Sequence, residues 1–362
     1  MPPLTHDPQD EASNIQDFLH GLPKVELHCH LLGTVQQSTL LEWARREKSQ
    51  LSQADIEAFY VRGEKPVGVL RVLRALEQEL LKTPADLYRL TIEYLQAAVS
   101  HRVRYAEFFW NPTGCARDAH IAYGPAVDAM SQAITDAQRQ WGIEGRIIPS
   151  IDREASPDAA LEMVGWMKAH RHDCVVGMGI DYNEVAHPPE WFEASYAQAR
   201  QAGFKTTAHA GEFGTPWTHV QTAVEVLKVD RVDHGYTLIE RPELARRYAE
   251  QGLIFTVVPT NTYYLRTLPA DRWALDHPIR QMPALGFRIH PNTDDPTLHQ
   301  VNPTLTWWMM MRDFGFQLDD LRQFMLNGID GAWVDASVQS QWRQSFSSYF
   351  DEHRPDVPIQ RA

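Results

Sequence analysis

The sequence is short of cysteine. Its three cysteines, Cys29, Cys115 and Cys174, are too few for a disulfide framework and lack the paired spacing of a thiolate zinc site. This usage favours a reducing, cytoplasmic location. Residues 1–20 are polar and acidic, without the basic start and apolar stretch of a secretory signal.

Basic charge and long apolar runs are also lacking. A formal net charge of −13 excludes a broad basic face for nucleic acid. No apolar run approaches the roughly 18 residues that a membrane helix needs. We therefore expect a small-molecule partner, without nucleic acid or membrane. The sequence leaves a homo-oligomer open.

What the chain does contain is a recurring pair of elements. Short apolar, β-branched runs alternate with longer segments of helical spacing, in a composition (43% hydrophobic, 22% charged) typical of soluble globular proteins. Eight such strands predict an α/β fold, a (β/α)8 TIM barrel. The predicted strands are residues 25–30, 104–110, 145–151, 175–181, 204–209, 231–234, 253–258 and 287–292.

Two segments depart from this alternation. Residues 36–82 form a long, mostly helical insertion between strands one and two, which we expect to lie over the C-terminal mouth of the barrel as a lid. Residues after 301 are expected to form helices on the outside. Because α/β barrels often use this many residues, we predict one domain over residues 1–362.

Polar residues cluster where four of the predicted strands end. Because strand ends of a (β/α)8 barrel converge on one mouth, these distant residues are expected to become neighbours. The four blocks are His28-Cys29-His30, His209-Ala210-Gly211-Glu212, Asp233-His234-Gly235 and Asn292-Thr293-Asp294-Asp295-Pro296.

The histidines and one aspartate of these blocks suit a metal ion. His28 and His30 are two residues apart and share one face of their strand. With His209 and Asp294 they supply three imidazoles and a carboxylate, the ligand set of zinc or a similar borderline metal such as iron or manganese. Such a metal lowers the pKa of bound water towards neutrality. Taken alone, a His-x-His pair is more often two partly buried histidines.

Three further residues could act on protons or on a ligand. Glu212 is placed to exchange a proton with a substrate ring nitrogen, and His234 to orient hydroxide or stabilise its charge. Asp295 could hydrogen-bond the substrate, although adjacent aspartates before a proline more often form a turn or a cap. Nine other histidines are expected to be solvated or to cap helices: His20, His101, His120, His170, His172, His187, His219, His277 and His299.

Together the blocks resemble the adenosine/adenine deaminase family of the amidohydrolase superfamily, with Leu22-Pro-Lys-Val-Glu-Leu-His28 preceding the first pair of histidines. The resemblance implies one zinc ion per chain on His28, His30, His209 and Asp294. It implies that Glu212 protonates the ring nitrogen, His234 assists the hydroxide and Asp295 binds the imidazole edge of a purine. The implied reaction is hydrolytic deamination of an aminopurine with release of ammonia.

Two departures from the family bear on the substrate. Adenosine deaminases carry an Asp that contacts ribose where this chain has Leu32, before Gly33. After strand four, Asp181 and Glu184 stand in a Gly-Ile-Asp-Tyr-Asn-Glu run that is closer to the adenine-deaminase branch. We expect these four residues to contact the substrate. An unpaired hydroxyl costs roughly 1–3 kcal/mol, so we expect a free base or a purine with an apolar substituent near Leu32.

Two alternatives remain. The same barrel and metal could serve another hydrolase that cleaves a cyclic amide or ester, without Glu212 as a ring-nitrogen acid. The second alternative is a non-catalytic barrel that binds a purine, since fold alone does not prove activity.

Overall fold

Eight parallel strands form the centre of the molecule, seen in a computed structural model that describes residues 8–61 and 68–356. Each strand pairs with its neighbours in chain order, from β1 to β8. They are buried along almost their whole length, as expected for a parallel sheet covered by helices. The strands are β1 (Lys24–Glu26), β2 (Val103–Trp110), β3 (Glu144–Asp152), β4 (Gly177–Asp181), β5 (Lys205–Ala210), β6 (Arg231–His234), β7 (Phe255–Val257) and β8 (Ile289–Pro291).

Backbone hydrogen bonds just beyond β1 and β8 close this sheet into a barrel. The His30 amide donates to the Asp294 carbonyl at 2.8 Å, and the Asp294 amide donates to the His28 carbonyl at 3.0 Å. Side chains extend the seam, since Asn292 Oδ1 accepts from the Leu27 amide at 2.8 Å. The predicted (β/α)8 barrel is confirmed, and its closure puts the first and last polar blocks side by side.

Helices surround the barrel, and several begin with the residue types that favour helix starts. Ser156 caps α8 by accepting from the Ala159 amide, with Pro157 at the first helical position. Gly142, at φ 72°, ends α7 in the left-handed conformation. The helices are α1 (Pro8–Gly21), α2 (Gln37–Arg46), α3 (Gln53–Phe59), α4 (Val69–Ala75), α5 (Pro84–Ser100), α6 (Pro112–Arg117), α7 (Tyr123–Trp141), α8 (Pro157–Ala169), α9 (Glu193–Gln201), α10 (Thr218–Glu225), α11 (Pro242–Glu250), α12 (Thr262–Thr267), α13 (Trp273–Asp276), α14 (Pro303–Arg312), α15 (Leu318–Gly331) and α16 (Ala336–His353).

The insertion between β1 and β2 is helical, as predicted for residues 36–82, although residues 62–67 of it lie outside the described ranges. It contains α2, α3 and α4, and α4 continues as a π-helical turn, Leu76–Leu80. Arg74 ties α4 to the end of β3, because its guanidinium lies 2.7 Å from Asp152 Oδ2. It also stacks over the Tyr182 ring, 4.0 Å from the centroid. These contacts hold α4 over the mouth.

The C-terminal helices pack on the outside of the barrel, also as predicted. α15 lies against β8 and β1, where the buried His290 ring contacts the Phe324 carbonyl at 2.9 Å. Among the described residues, no helix combines the length and the apolar character needed to cross a bilayer. The single domain over residues 1–362 stays a prediction.

Candidate active site

Four side chains from three strand ends converge at the C-terminal mouth of the barrel. His28 Nε2 and His30 Nε2 lie 3.4 Å and 3.2 Å from Asp294 Oδ1. His209 Nε2 lies 3.2 Å from His30 Nε2. All four side chains are buried. The structure therefore brings together the four residues that the sequence offered as metal ligands.

This donor set fits a divalent metal ion. Ligand atoms about 2.0–2.1 Å from a tetrahedral zinc ion lie about 3.3 Å from one another, close to the distances seen here. His28 Nε2 is buried and has no hydrogen-bond partner among the described residues. His30 Nε2 and His209 Nε2 lie 3.2 Å apart, and when both rings carry their proton on Nδ1 the two lone pairs repel each other unless they share a cation.

Asp233 orients two of the three imidazoles from behind. Its Oδ2 lies 3.3 Å from His209 Nδ1. Its Oδ1 accepts from Thr256 Oγ1 at 2.7 Å, and Thr256 Oγ1 in turn lies 3.0 Å from His28 Nδ1. With Nδ1 carrying the proton in both rings, the two Nε2 lone pairs face the cluster. Carboxylates behind metal-bound histidines serve this purpose.

Asp181 plays the same part for the third imidazole. Its Oδ2 lies 3.3 Å from His30 Nδ1, and its Oδ1 accepts from Asn111 Nδ2 at 2.7 Å. Although burial opposes ionisation, the His30 hydrogen bond and the nearby imidazoles hold the pKa of Asp181 below its usual range. Asp181 also lines the cavity. Its contact with the substrate therefore remains a prediction, in addition to its role in orienting His30.

Glu212 faces the same mouth from the loop after β5. Asn261 Nδ2 donates to its Oε1 at 2.8 Å, and its Oε2 lies 3.5 Å from His234 Nε2. Burial, reinforced by the carboxylates of Asp294 and Glu184, raises the pKa of Glu212 well above its usual range. This shift favours the protonated form of the side chain, which a ring-nitrogen acid requires.

His234 is held with its Nε2 towards Glu212. The Tyr236 hydroxyl donates to the Val258 carbonyl at 3.1 Å and accepts from the Val258 amide at 2.8 Å. Its remaining lone pair faces His234 Nδ1 at 3.4 Å, which favours a proton on Nδ1 and a bare Nε2. Burial, together with the imidazoles of His28 and His209, lowers the pKa of His234 well below its usual range. The neutral ring can thus accept a proton.

Backbone strain accumulates at this mouth. His234 and Asp294 have φ values of 69° and 65°, and Tyr182 has 65°. The left-handed region costs non-glycine residues about 1–2 kcal/mol each. Such residues persist where the surroundings over-determine them, and they cluster at functional sites.

Asp295 lies beside the metal cluster and lines the cavity. Its Oδ1 is buried without a hydrogen-bond partner among the described residues, so it is available to a ligand. A Cβ at position 33 would lie 1.8 Å from that oxygen, which explains Gly33 as a packing requirement. The expectation that His299 is solvated or caps a helix is wrong, because its buried Nε2 lies 3.7 Å from both Asp294 Oδ2 and Asp295 Oδ2.

Leu32 and Glu184 are placed differently from the other predicted site residues. Leu32 is buried in the apolar core and does not line the cavity. Glu184 is also fully buried, and both of its oxygens accept hydrogen bonds from the segment that carries Glu212. The predicted contacts of Leu32 and Glu184 with the substrate therefore remain predictions. The metal cluster, Glu212, His234 and Asp295, in contrast, lie together at one mouth.

A cavity of about 180 Å³ opens at this mouth, lined on its polar side by His30, His209, Asp294, Asp295 and Glu212. Val69, Leu70 and Leu73 of α4 form an aliphatic part of the cavity wall, and Phe213, Tyr182 and Arg266 also line it. The volume is below the range of about 300–1,000 Å³ usual for drug-sized ligands. The arrangement can therefore enclose a small molecule against the His-Asp cluster and Glu212.

Sequence reasoning gave no role to Asp233, Asn261, Thr256 or Tyr236. For Asp233 a signal existed, because it lies in the same block as His234 and pairs in register with His209. Asn261 follows β7 in a loop, where spacing carries no comparable information.

Comparisons with known proteins agree with this geometry. The sequence profile of the adenosine deaminase family matches residues 23–348. An adenine deaminase of Vibrio parahaemolyticus is 30% identical over 93% of this chain and 98% of its own length.

Two solved structures share the fold closely. A zinc-containing amidohydrolase from Burkholderia ambifaria is 58% identical, with a TM-score of 0.93 and 94% of each chain covered. The adenine deaminase of Arthrobacter aurescens is 27% identical, with a TM-score of 0.82, over 91% of this chain and 100% of its own. The chain belongs to the adenosine deaminase family.

Proposed function

We propose that this protein is a zinc-dependent aminohydrolase that replaces the exocyclic amine of a purine base with oxygen and releases ammonia. Hydrolysis of a C–N bond in a cyclic amidine is the chemistry of its family. The observation that carries the proposal is the position of Glu212, which lines the same cavity as the His-Asp cluster with its Oε2 3.5 Å from His234 Nε2.

His28, His30, His209 and Asp294 would hold the metal. Zinc is proposed because three imidazoles and a carboxylate suit it, and because the amidohydrolase from Burkholderia ambifaria contains zinc. When bound, the metal supplies a water molecule whose pKa is lowered towards neutrality. Asp233, Thr256 and Asp181 favour a proton on Nδ1 of these imidazoles, which would leave the Nε2 atoms free to bind the metal.

The remaining residues move protons and place the ring. His234 Nε2 takes a proton from water as its oxygen adds to the amine-bearing carbon, while Glu212 gives its proton to the adjacent ring nitrogen. The resulting carbon carries hydroxyl and amine together. The C–N bond then breaks, the amine leaves as ammonia with the proton from His234, and the hydroxyl proton returns to Glu212. Asp295 hydrogen-bonds the imidazole edge and fixes the orientation of the purine.

The cavity favours a free base or a base with an apolar substituent. Position 32 carries no carboxylate that could bind ribose, because it is a leucine buried in the core. Val69, Leu70 and Leu73 offer no hydrogen-bond partner to sugar hydroxyls. Adenine deaminases are among the relatives that align over nearly the whole chain. The proposed partner is therefore a small purine, and the three buried free thiols are consistent with a cytoplasmic location.

Ammonia release tests the proposal. The protein is purified with its native metal, the metal is quantified, and adenine, adenosine, methylthioadenosine, N6-substituted adenines, guanine and pterins are compared. We expect about one zinc per chain and the highest kcat/KM for adenine or an N6-substituted adenine. Efficient turnover of adenosine but not of the bases would contradict the substrate assignment. Bound metal without ammonia from any compound would direct the search to cyclic amides and esters.

A further inference from the structure

The loop after β4 carries a buried carboxylate, that of Glu184, which contacts the loop after β5. Glu184 has no exposed side-chain surface and is not among the residues that line the cavity. Its oxygens contact residues 211–213, the segment that contains Glu212. We propose that Glu184 is a positioning residue for deamination, which clamps this segment so that Glu212 faces the reacting ring nitrogen. The inference rests on the proposed function.

Three consecutive backbone amides donate to the one carboxylate. The Gly211 amide lies 2.7 Å from Oε1, the Glu212 amide 2.8 Å from Oε2, and the Phe213 amide 3.2 Å from Oε2. A carboxylate is the side chain that can accept several such bonds at once. Charge-assisted bonds of this kind are about twice as strong as neutral ones. The segment is thus fixed along its backbone, next to the catalytic side chain.

A hydrogen-bond donor and a cation stabilise the buried carboxylate. His219 Nδ1 lies 3.2 Å from Oε1, and Arg153 Nη1 lies 3.9 Å from it. Although burial alone would raise the pKa of Glu184, the hydrogen bond from His219 and the Arg153 guanidinium help to lower it to about 2. Arg153 Nη2 also donates to the His209 carbonyl at 2.6 Å. The clamp therefore spans the end of β5, from a metal ligand to the acid.

The segment needs such a clamp because the chain turns sharply there. Gly211 has φ 72°, and a Cβ on it would lie 2.6 Å from Thr237 Oγ1. Residues in a turn of this kind have no strand partner for their amides, and buried amides must be paired. Asn261 holds the Glu212 carboxyl group at its far end. Glu184 and Asn261 thus fix Glu212 from its backbone and from its side chain.

A clamp and a substrate contact predict different kinetics. A residue that binds substrate equally in the ground state and the transition state changes KM when it is removed. A residue that only places the acid changes kcat, because misplacement of a reacting group by about 1 Å can cost about 100-fold. The buried position of Glu184, behind the loop, favours the second result.

The test compares Glu184→Gln with Glu190→Gln, an exposed glutamate of the same connection, in the metal-loaded protein. The side-chain amide introduced by Glu184→Gln would present N–H to backbone N–H on one side. We expect this variant to lower kcat about 10- to 100-fold, with KM within about twofold and unchanged metal content. Backbone amides 211–213 should exchange hydrogen faster by mass spectrometry. Glu190→Gln should match the wild type in all four measurements.

Glu184→Asp provides a second test that keeps the charge. Its shorter side chain cannot reach all three amides, so kcat should fall less than in Glu184→Gln and exchange should rise less. If Glu184→Gln does not fold, the kcat and exchange rates of Glu184→Asp alone test the clamp. A raised KM with unchanged kcat would overturn the clamp in favour of substrate contact, and unchanged kcat with unchanged exchange would overturn it outright. Absence of ammonia release by the wild type would instead defeat the proposed function, while the exchange rates still test the clamp.

Discussion

The two ends of the barrel both bury charged and polar side chains, but they satisfy them differently. In the half of the barrel that lies away from the mouth, which we call the lower half, Arg231 Nη1 donates to Glu107 Oε2 at 2.7 Å and to the Gly331 carbonyl at 3.1 Å. Both His290 nitrogens lie within 3.1 Å of backbone carbonyls. Lys24 Nζ donates to carbonyls, including that of Leu22 at 2.7 Å.

At the mouth, several polar atoms of the same kinds make no hydrogen bond within the described part of the chain, although His28 Nε2 and His234 Nε2 lie 3.4 Å and 3.5 Å from carboxylate oxygens of Asp294 and Glu212. His28 Nε2, His234 Nε2 and Asp295 Oδ1 are buried and form no hydrogen bond with described residues. Unpaired buried polar groups cost about 1–3 kcal/mol each, so folding alone does not explain them. In the lower half, buried polar groups are paired within the protein, as stability requires. At the mouth, a bound metal and a substrate would supply the missing partners.

The largest effect on turnover should come from Glu212→Gln. The amide cannot give a proton to a ring nitrogen, and general acid catalysis contributes about 100- to 10,000-fold. We expect kcat to fall by about that factor in steady-state ammonia assays, with metal content unchanged. Glu243→Gln, an exposed glutamate on α11, serves as the control. Activity within twofold of the wild type would show that the acid lies elsewhere.

Asp233→Asn tests the group behind the metal ligands. Its loss leaves His28 and His209 without the carboxylate that orients them, and such losses cost about 10- to 100-fold in metal affinity. Chelator competition should reveal that change. The matched control is Asp230→Asn. Asp230 directly precedes β6, and its carboxylate pairs with Lys205 at 2.7 Å. Equal metal affinity in both variants would disprove the orienting role.

Asp295→Ala should have an intermediate effect. A buried polar group left without its partner costs about 1–3 kcal/mol, which corresponds to a loss of about 5- to 150-fold in kcat/KM. The loss should be equal for adenine and for N6-substituted adenines, since the imidazole edge is common to both. Metal content should stay at the wild-type value. A loss confined to one substrate would place Asp295 at the substituent instead.

The smallest effect on turnover should come from the lower half. Glu107→Ala leaves Arg231 buried without its carboxylate, and breaking such a pair costs about 3–5 kcal/mol of folding free energy. Urea unfolding should report that loss, while kcat per metal-loaded molecule stays near the wild-type value. A reduced kcat at full metal occupancy would erase the distinction between the two ends.

The fold was predictable because the strands carry their signal locally. Each of the eight predicted strands overlaps an observed one, and α8 begins at Pro157 as its Ser-Pro start indicates. The strand-end residues were predictable as a group because a barrel brings its strand ends together. The contacts of Glu184, Asn261 and His299 were not predictable, because loop conformation rather than sequence period sets their neighbours. Leu32 shows the same limit, since its position in the motif does not disclose that it points into the core.

The most direct measurement follows ammonia release from adenine before and after removal of the metal. The account predicts that chelation abolishes release and that about one equivalent of zinc per chain restores it. Undiminished release by the metal-free protein would contradict the claim that the unpaired imidazoles at the mouth form a metal-dependent hydrolytic centre.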